Sequence, residues 1–271
     1  MQVIGLCRFS FPALGDFQIE HDTVEERRRH IYHPTRLEER FRLFESLTLP
    51  SFRAQTDEDF QLLIAVGDCL PKTALDRLKD LTTDIKQVQI IQRAVDPDQK
   101  HRQVMKLILQ NARSHPDQPC LQFRHDDDDS VSIDFVEKLR EAADDGAGLI
   151  KKNQAIGIDF NNGYQASFKP AGTKAAQVYK SLLGVGLGML VSGECIHTII
   201  SFTHNRIGRF MPVISYPDHP MWIRSLNDSN DSPRAGKQKA QLAPITPRIE
   251  TELVRRFAID PGFLRLPQSS A

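Results

Sequence analysis

The sequence has no long apolar run and no excess of charge of either sign. No stretch approaches the roughly 18 uninterrupted apolar residues of a membrane-spanning helix. The first residues lack the basic leader and apolar core of a secretory signal. Lys plus Arg number 35, and Asp plus Glu also number 35, whereas a nucleic-acid-binding domain usually has a net basic face. These absences predict a cytoplasmic protein without a transmembrane segment and without a nucleic-acid partner.

Cysteine is scarce and scattered. The four cysteines are Cys7, Cys69, Cys120 and Cys195, and they form no CxxC pair. Structural zinc sites need closely spaced ligands, and disulfide-stabilised domains are dense in cysteine. Neither kind of site fits this spacing, so we interpret the four residues as small apolar side chains in a reducing compartment.

The composition allows one substantial core, since 40% of the 271 residues are hydrophobic and 26% are charged. Up to about residue 150, short apolar segments alternate with segments of helical period. The strand-like segments cover residues 3–7, 61–66, 88–91 and 120–123. This alternation predicts an α/β fold with a mostly parallel, Rossmann-like sheet flanked by helices. We expect a single domain, residues 1–271, with a regular half at 1–150 and a less regular half at 151–271.

Proline, glycine and capping residues predict where individual elements begin and end. Residues 35–38 have the form of a capping box, and the helix that follows should end before Pro50. Residues 161–163, Asn-Asn-Gly between two apolar segments, favour a β-hairpin. Beyond them we predict a helix over residues 173–183, a strand over 198–202, a mobile segment over 215–245 and a helix from Thr246.

Four consecutive aspartates, Asp126, Asp127, Asp128 and Asp129, follow the fourth predicted strand directly. Adjacent carboxylates repel one another, and a divalent cation bound through oxygen relieves that repulsion. Alternate side chains of an extended chain share a face, so Asp126 and Asp128 could bind the same Mn²⁺ or Mg²⁺ ion. Asp127 would then point elsewhere, and Asp129 could lie under a bound sugar.

The alternative interpretation of the four aspartates is a solvated acidic loop, which is what most charge runs are. Their position favours a site instead. The run begins without a spacer at a strand end, and ligands of open α/β sheets collect at the carboxyl ends of the strands.

Three segments resemble one protein family. The string LQFRHDDDDSVSIDFVEKLR closely resembles the D-x-D region of a bacterial family of rhamnosyltransferases, which have the type-A glycosyltransferase fold. Residues 8–18 and 36–71 resemble the same family, and LPSFRAQTDEDFQLLI is similar to a helix-to-strand passage of family-two glycosyltransferases. The sequence departs from the pattern at His125, where a Leu-like residue is expected, and at Asp68, which stands without the usual second aspartate.

The resemblance implies that residues 1–150 bind a nucleoside diphosphate sugar and that residues 151–271 face the acceptor. It places Arg8 and Ser10, at the end of the first strand, near the donor nucleotide, and Asp68 near its base or ribose. For Arg8, a surface ion pair is an equal alternative. Arg124, just before the aspartates, could orient those carboxylates or contact phosphate.

The second half supplies three weaker candidates. An inverting transferase needs a general base, for which Glu194 is our candidate and an ordinary loop carboxylate the alternative. His204 could complete the shell of the metal, although a lone histidine is more often a surface or satisfied residue. Residues 225–237, with Arg234 and Lys237, resemble a loop that closes over a diphosphate, and a disordered linker is the alternative.

These observations favour a metal-dependent glycosyltransferase. We expect it to move a sugar, rhamnose by the resemblance alone, from a nucleoside diphosphate donor to a glycan or lipid-linked acceptor, with peripheral membrane contact left open. Mn²⁺ or Mg²⁺ and basic side chains would stabilise the diphosphate leaving group. The same carboxylates would suit a metal-dependent phosphohydrolase or nucleotidyltransferase. A third hypothesis is a nucleotide- or carbohydrate-binding protein without catalytic activity.

Overall fold

Two β-sheets and their helices make up the described part of the chain, which is residues 1–14, 21–169, 171–227 and 241–265 of a computed structural model. The strands in chain order are β1 (Gln2–Arg8), β2 (Gln61–Gly67), β3 (Val88–Arg93), β4 (Cys120–Asp126), β5 (Ser130–Val131), β6 (Ala155–Phe160), β7 (Asn162–Lys169), β8 (Gly172–Tyr179), β9 (Leu187–Val191), β10 (Val213–Tyr216), β11 (Trp222–Ser225) and β12 (Ala243–Pro244). The helices are α1 (Val24–Ile31), α2 (Pro34–Leu43), α3 (Leu49–Arg53), α4 (Lys72–Thr82), α5 (His101–Asn111), α6 (Phe135–Asp145), α7 (Ala147–Ile150), α8 (Pro247–Phe257) and α9 (Pro261–Arg265).

The larger sheet has the strand order β10-β6-β9-β4-β1-β2-β3. Strands β4, β1, β2 and β3 are parallel, and β9 runs antiparallel between β4 and β6. Residues 3–7 of β1 and 62–67 of β2 are apolar and buried, as is usual for parallel strands covered on both faces. The four strands predicted in the first half and the predicted α/β class with a mostly parallel sheet are confirmed. Because β6 is also antiparallel to β9, it runs in the same direction as β4.

The smaller sheet has the order β12-β8-β7-β11-β5. It packs on α8, which begins at the predicted cap Thr246 and buries Leu253 and Phe257. Trp222, which is fully buried, donates its indole N–H to the carbonyl oxygen of Phe160 at 2.7 Å and so joins the two sheets. A side chain at Gly186 would collide with the Trp222 ring, so only glycine fits there.

The first predicted helix is longer than expected and begins two residues earlier. α2 starts at Pro34, so residues 35–38 do not form a capping box. It continues through a π-helical turn, Phe44–Thr48, into α3, which contains Pro50. The prediction that the helix ends before Pro50 is therefore wrong. The physical reason is the wide turn, in which the N–H of Leu49 donates to Phe44 five residues back and the helix resumes with proline in its first turn, where no N–H is needed.

The predicted hairpin at residues 161–163 and the predicted helix at 173–183 are also wrong. β6 and β7 lie in different sheets, and β7 pairs with β8 through a turn that includes Gly172 at φ +106°. Alanine, lysine and glutamine in β8 favour helix locally, but cross-strand pairing with β7 outweighs that preference. Residues 199–201 form a 3₁₀ turn in place of the predicted strand. β10 and β11 occupy part of the predicted mobile segment, and residues 228–240 lie outside the described ranges.

A buried ion pair ties α2 to the turn between β4 and β5. The N–H of Asp129 donates to the carbonyl oxygen of Asp126 at 3.2 Å, which closes the turn. The Arg40 guanidinium lies 2.7 Å from Asp127 Oδ1 and 2.7 Å from Asp128 Oδ2, and all three side chains are buried. One helix side chain thus fixes the point at which the chain passes from the larger sheet into the smaller one.

Removal of Arg40 should strongly destabilise the protein. R40L would leave two buried carboxylates without their guanidinium, and breaking a buried pair in this way costs about 3–5 kcal/mol. Urea unfolding followed by circular dichroism measures the loss. The matched control is R53A, which removes a bidentate pair to Asp84 on the surface, at 2.6 and 3.0 Å, and should leave the midpoint near that of the wild type. Equal midpoints for R40L and R53A would contradict this assignment.

The cysteines differ sharply in exposure. Cys7, Cys120 and Cys195 are buried, and only Cys69 is partly exposed. Burial raises the pKa of Cys120 to about 11 and that of Cys7 well above its usual value. The placement agrees with their interpretation as small apolar side chains.

One thiol per chain should therefore react quickly with a disulfide reagent at pH 8, because thiolate is the reacting form and only Cys69 is accessible. C69S should abolish this fast phase, and urea should expose the remaining thiols. Two or more fast-reacting thiols in the folded wild type would show that the burial of the other three is wrong. Release of the coloured thiol product gives the count directly.

Candidate functional site

The carboxyl ends of β1, β2 and β4 meet at one edge of the larger sheet. β1 and β4 are parallel neighbours in a register that sets Arg8 opposite Asp126. Ser10 follows β1, and Asp68 follows β2 on the far side of β1. The sequence-predicted residues Arg8, Ser10, Arg124 and the four aspartates therefore lie together, with Asp68 about 10 Å further along the edge at the usual strand spacing.

Three guanidinium groups surround Asp126. Arg224 Nη1 on β11 lies 4.0 Å from Asp126 Oδ2 and 3.7 Å from Asp129 Oδ2. Burial would raise the pKa of Asp126, but Arg124 and Arg8 outweigh it and hold that pKa well below its usual range. Burial and the neighbouring Arg8 and Arg224 lower the pKa of Arg124, and Asp126 opposes them. Asp126 is thus an ionised carboxylate surrounded by Arg8, Arg124 and Arg224, which we call the cationic rim.

Asp126 is the only one of the four aspartates with substantial exposure, 27% of its side chain, against 7% or less for the others. Asp127 accepts the backbone N–H of Ser10 at 3.3 Å in addition to its contact with Arg40. Burial raises the pKa of Asp127 to about 6, against the lowering effect of Arg40. Asp127 therefore points inward, toward α2 and the segment that follows β1.

Asp128 and Asp129 are fixed by the strand that carries Arg224. Asp128 Oδ2 accepts Asn227 Nδ2 at 2.7 Å and Ser225 Oγ at 3.3 Å. Asp129 Oδ1 accepts the backbone N–H of Ser225 at 2.9 Å. Burial raises the pKa of Asp129 well above its usual value, although Arg224 lies beside it. The structure therefore places Asp129, expected under the sugar, within the junction of the two sheets.

Three histidines lie near the acidic turn, and burial lowers the pKa of each. His204, at the start of a 3₁₀ helix, has its Nδ1 hydrogen-bonded to the carbonyl oxygen of Leu182, and burial with Arg124 lowers its pKa to about 4. The neutral ring therefore carries its proton on Nδ1 and a lone pair on Nε2. His101 Nε2 lies 3.1 Å from Arg8 Nη1, and its pKa is lowered well below the usual value by burial and Arg8.

His125 explains one departure from the family pattern. Its ring is buried, packs edge-on against Phe52 at 4.9 Å between centroids, and sets Nε2 3.1 Å from the carbonyl oxygen of Asp129. Burial lowers its pKa to about 4, so the ring is neutral and stabilises the turn by one polar contact.

The loop that holds His204 depends on Asp159, which sequence reasoning missed. Leu182 has a left-handed backbone, φ 57°, and its N–H donates to Asp159 Oδ1 at 2.8 Å. Asp159 Oδ2 also accepts Ser215 Oγ at 3.1 Å. A carboxylate at the end of β6 thus positions the carbonyl that orients the imidazole. No local pattern indicates this role, because Asp159 stands in an apolar strand segment.

The donor atoms suit a divalent ion that is shared with a diphosphate. No three His, Cys, Asp or Glu side chains of the described ranges form a metal-binding group by themselves. Mg²⁺ and Mn²⁺, however, are commonly held by one or two carboxylates together with substrate phosphates. Asp126 presents an exposed carboxylate of this kind, whereas the predicted ligand Asp128 is buried and accepts contacts from Arg40, Ser225 and Asn227.

Glu194 does not belong to this site, which corrects the prediction of a general base. It follows β9, and β9 runs antiparallel to β4 with Val191 opposite Cys120. Its N–H donates to the carbonyl oxygen of Pro116 at 2.8 Å, before β4 begins. Glu194 therefore lies at the opposite end of β4 from Asp126, about 20 Å away at the usual rise per residue. Sequence spacing could not show the direction of β9.

Three basic residues at the site were also not indicated by the sequence. Arg40 and Arg224 contact the aspartates, and His101 contacts Arg8. The sequence does carry one indication of Arg40, since Arg36 and Arg40 lie four residues apart beside the apolar face of α2. The predicted loop residues Arg234 and Lys237 lie outside the described residues.

Comparison with solved structures gives likenesses of low sequence identity. The S. aureus TarS 1–349 structure has 9% identity and a TM-score of 0.45, over 83% of this chain and 60% of that one, so this chain spans about three fifths of its length. TarS 1–349 in complex with UDP-GlcNAc has 10% identity and a TM-score of 0.43, over 94% and 67%. A structure described as a putative nucleotide-diphospho-sugar transferase, from Desulfovibrio desulfuricans, has 11% identity and a TM-score of 0.36, over 82% of each chain.

Comparison of the sequence with known families gives a clear result. No curated protein matches the chain. The sequence pattern of the family described as "Putative rhamnosyl transferase" matches residues 2–239, which is nearly the whole chain. The match includes the acidic turn, Arg40 and Arg224. The protein belongs to this family.

Proposed function

We propose that the protein transfers a sugar from a nucleoside diphosphate donor whose diphosphate binds between Arg8, Arg124 and Arg224. The observation that carries the proposal is the convergence of these three guanidiniums on one exposed carboxylate, Asp126, at the carboxyl edge of the sheet. Guanidinium groups bind phosphate oxygens in a bidentate way. Negative charge develops on the diphosphate as the bond to the sugar breaks, and prearranged cations stabilise it.

Charge balance supports a divalent ion in the same site. Four guanidiniums lie among the four aspartates, namely Arg8, Arg40, Arg124 and Arg224. Arg40 is already engaged by Asp127 and Asp128, so the negative charge that a bound diphosphate adds would fall on the surroundings of Asp126. We propose that Mn²⁺ or Mg²⁺, held by Asp126 together with the diphosphate oxygens, supplies positive charge to the leaving group.

The donor sugar and the acceptor follow from the family alone. The family description favours a rhamnosyl donor. A glycan or a lipid-linked sugar is the acceptor that we propose. The fold does not fix either substrate, so both require direct measurement.

Nucleotide binding should depend on Arg124. Thermal unfolding with UDP, GDP or dTDP and Mn²⁺ should show stabilisation by at least one nucleotide, amounting to about 2.7 kcal/mol at a hundredfold excess over its Kd. R124Q should weaken that affinity by about 10- to 100-fold, because it removes charged hydrogen bonds to phosphate. E194Q is the matched control and should bind like the wild type. A folded R124Q with wild-type affinity would refute the proposed diphosphate position.

The metal requirement can be tested separately. In D126N the part of the nucleotide stabilisation that depends on Mn²⁺ should disappear, since the exposed carboxylate becomes a neutral amide. Release of nucleoside diphosphate from a panel of donors, a rhamnosyl donor among them, should stop in EDTA and return with Mn²⁺. Undiminished turnover in EDTA would remove the ion from the proposal and leave the transferase assignment intact.

A further inference from the structure

Exposed apolar side chains collect on one face of the protein. Among the described residues, six large hydrophobic side chains are strongly exposed. Three of them, Leu107, Ile196 and Phe210, are 50%, 66% and 62% exposed and lie on α5 or on segments near it. The other three, Met1, Leu149 and Tyr179, lie on separate elements.

One hydrogen bond and two ring contacts link the segments that carry these three side chains. Gln110 Nε2 donates to the carbonyl oxygen of Ile196 at 2.7 Å, one helical turn beyond Leu107. The rings of His197 and Phe202 lie 5.2 Å apart, and those of Phe202 and Phe210 lie 5.0 Å apart. We define the apolar strip as Leu107, Ile196, His197, Phe202 and Phe210. A shared core beneath it, which includes Met105, Ile199 and Ile207, holds the strip in place.

The two segments that carry the apolar strip contain basic residues and no acidic ones. Residues 99–116 and 195–217 contain six Lys or Arg residues and no Asp or Glu, in a chain that has 35 of each kind. Arg206 and Arg209 are exposed next to Phe210, and Lys106 is half-buried next to Leu107. Arg113 is buried against backbone carbonyls and does not contribute to the surface. Acidic residues border the two segments, and Glu194 is the nearest in sequence to the strip.

We propose that the apolar strip, with Lys106, Arg206 and Arg209, binds the surface of a bilayer that contains anionic lipid. Aromatic and aliphatic side chains insert at the boundary between headgroups and acyl chains, and arginine and lysine pair with lipid phosphates. An exposed apolar patch rimmed by cations marks such a contact. The contact is superficial, since no helix in the described ranges is long and apolar enough to cross a membrane.

The charge pattern also argues against a second copy of this chain as the occupant. A two-fold interface brings the same surface of both subunits together, so the basic residues of both copies would lie in one interface. Like charges opposed across an interface cost affinity. Lipid phosphates, by contrast, complement both arginines at once.

Vesicle flotation with the full chain tests the proposal. The wild type should bind vesicles of phosphatidylcholine and phosphatidylglycerol, bind phosphatidylcholine alone weakly, and dissociate as salt rises. F210S should lower the partition coefficient by about tenfold, because it removes one inserted aromatic ring. R206Q with R209Q should lower it by about fivefold for each charge removed.

Matched controls distinguish binding through the apolar strip from nonspecific adsorption of the protein to vesicles. Y179S removes an aromatic ring of similar exposure, 68%, on β8 of the other sheet. K79Q with K86Q removes two exposed charges near β3, at the far edge of the larger sheet. Both controls should bind like the wild type. The assay needs no donor or metal, so its result does not depend on the proposed function.

Two results would overturn the proposal. One is the absence of wild-type binding to anionic vesicles, or an equal loss of binding in the controls and the strip variants. The other is a stable dimer without lipid, measured by sedimentation velocity, that F210S dissociates, since the strip would then be a contact between copies.

Discussion

The contact of Arg40 with Asp127 and Asp128 is the constraint on which the site depends. Four adjacent carboxylates at the junction of two sheets would repel one another and require water, yet three of them are buried. Arg40 compensates the charges of Asp127 and Asp128. Asp129 accepts a hydrogen bond from Ser225, and burial raises its pKa. Because these three are engaged in the fold, Asp126 alone turns a substantial part of its side chain to solvent. Three aspartates of the acidic turn therefore stabilise the fold, and Asp126 is the one that remains accessible to a ligand.

The rim around Asp126 is built from both halves of the chain. Arg8 and Arg124 stand on neighbouring strands of the larger sheet, whereas Arg224 comes from β11 of the smaller sheet and His204 from a 3₁₀ helix beyond β9. The site is therefore complete only when the two sheets are joined. Trp222 and the acidic turn make that connection. A division into a donor half at residues 1–150 and an acceptor half does not describe the rim, because cationic and imidazole groups of the second half complete it.

The sequence predicts what depends on local pattern and misses what depends on pairing. Apolar runs located β1 to β4, and the strand end located the aspartates. The β8 strand could not be found, since its alanines and lysine favour helix until β7 supplies a partner. Arg40 stands among Glu38, Glu39 and other arginines, so its helix face resembles a solvated one. Glu194 was misplaced because an apolar run such as Leu187–Val191 carries no sign of its direction in the sheet.

One short segment connects the rim to the apolar strip. The 3₁₀ helix His204–Arg209 begins at the imidazole near Asp126 and ends beside Phe210. Its first residue is tied to Leu182, which Asp159 fixes in turn, and Ile207 anchors its middle in the core. The helix is therefore anchored at its first residue and at its middle. If the apolar strip rests on a membrane as proposed, this short helix would hold that contact and the proposed donor site at a fixed position relative to each other.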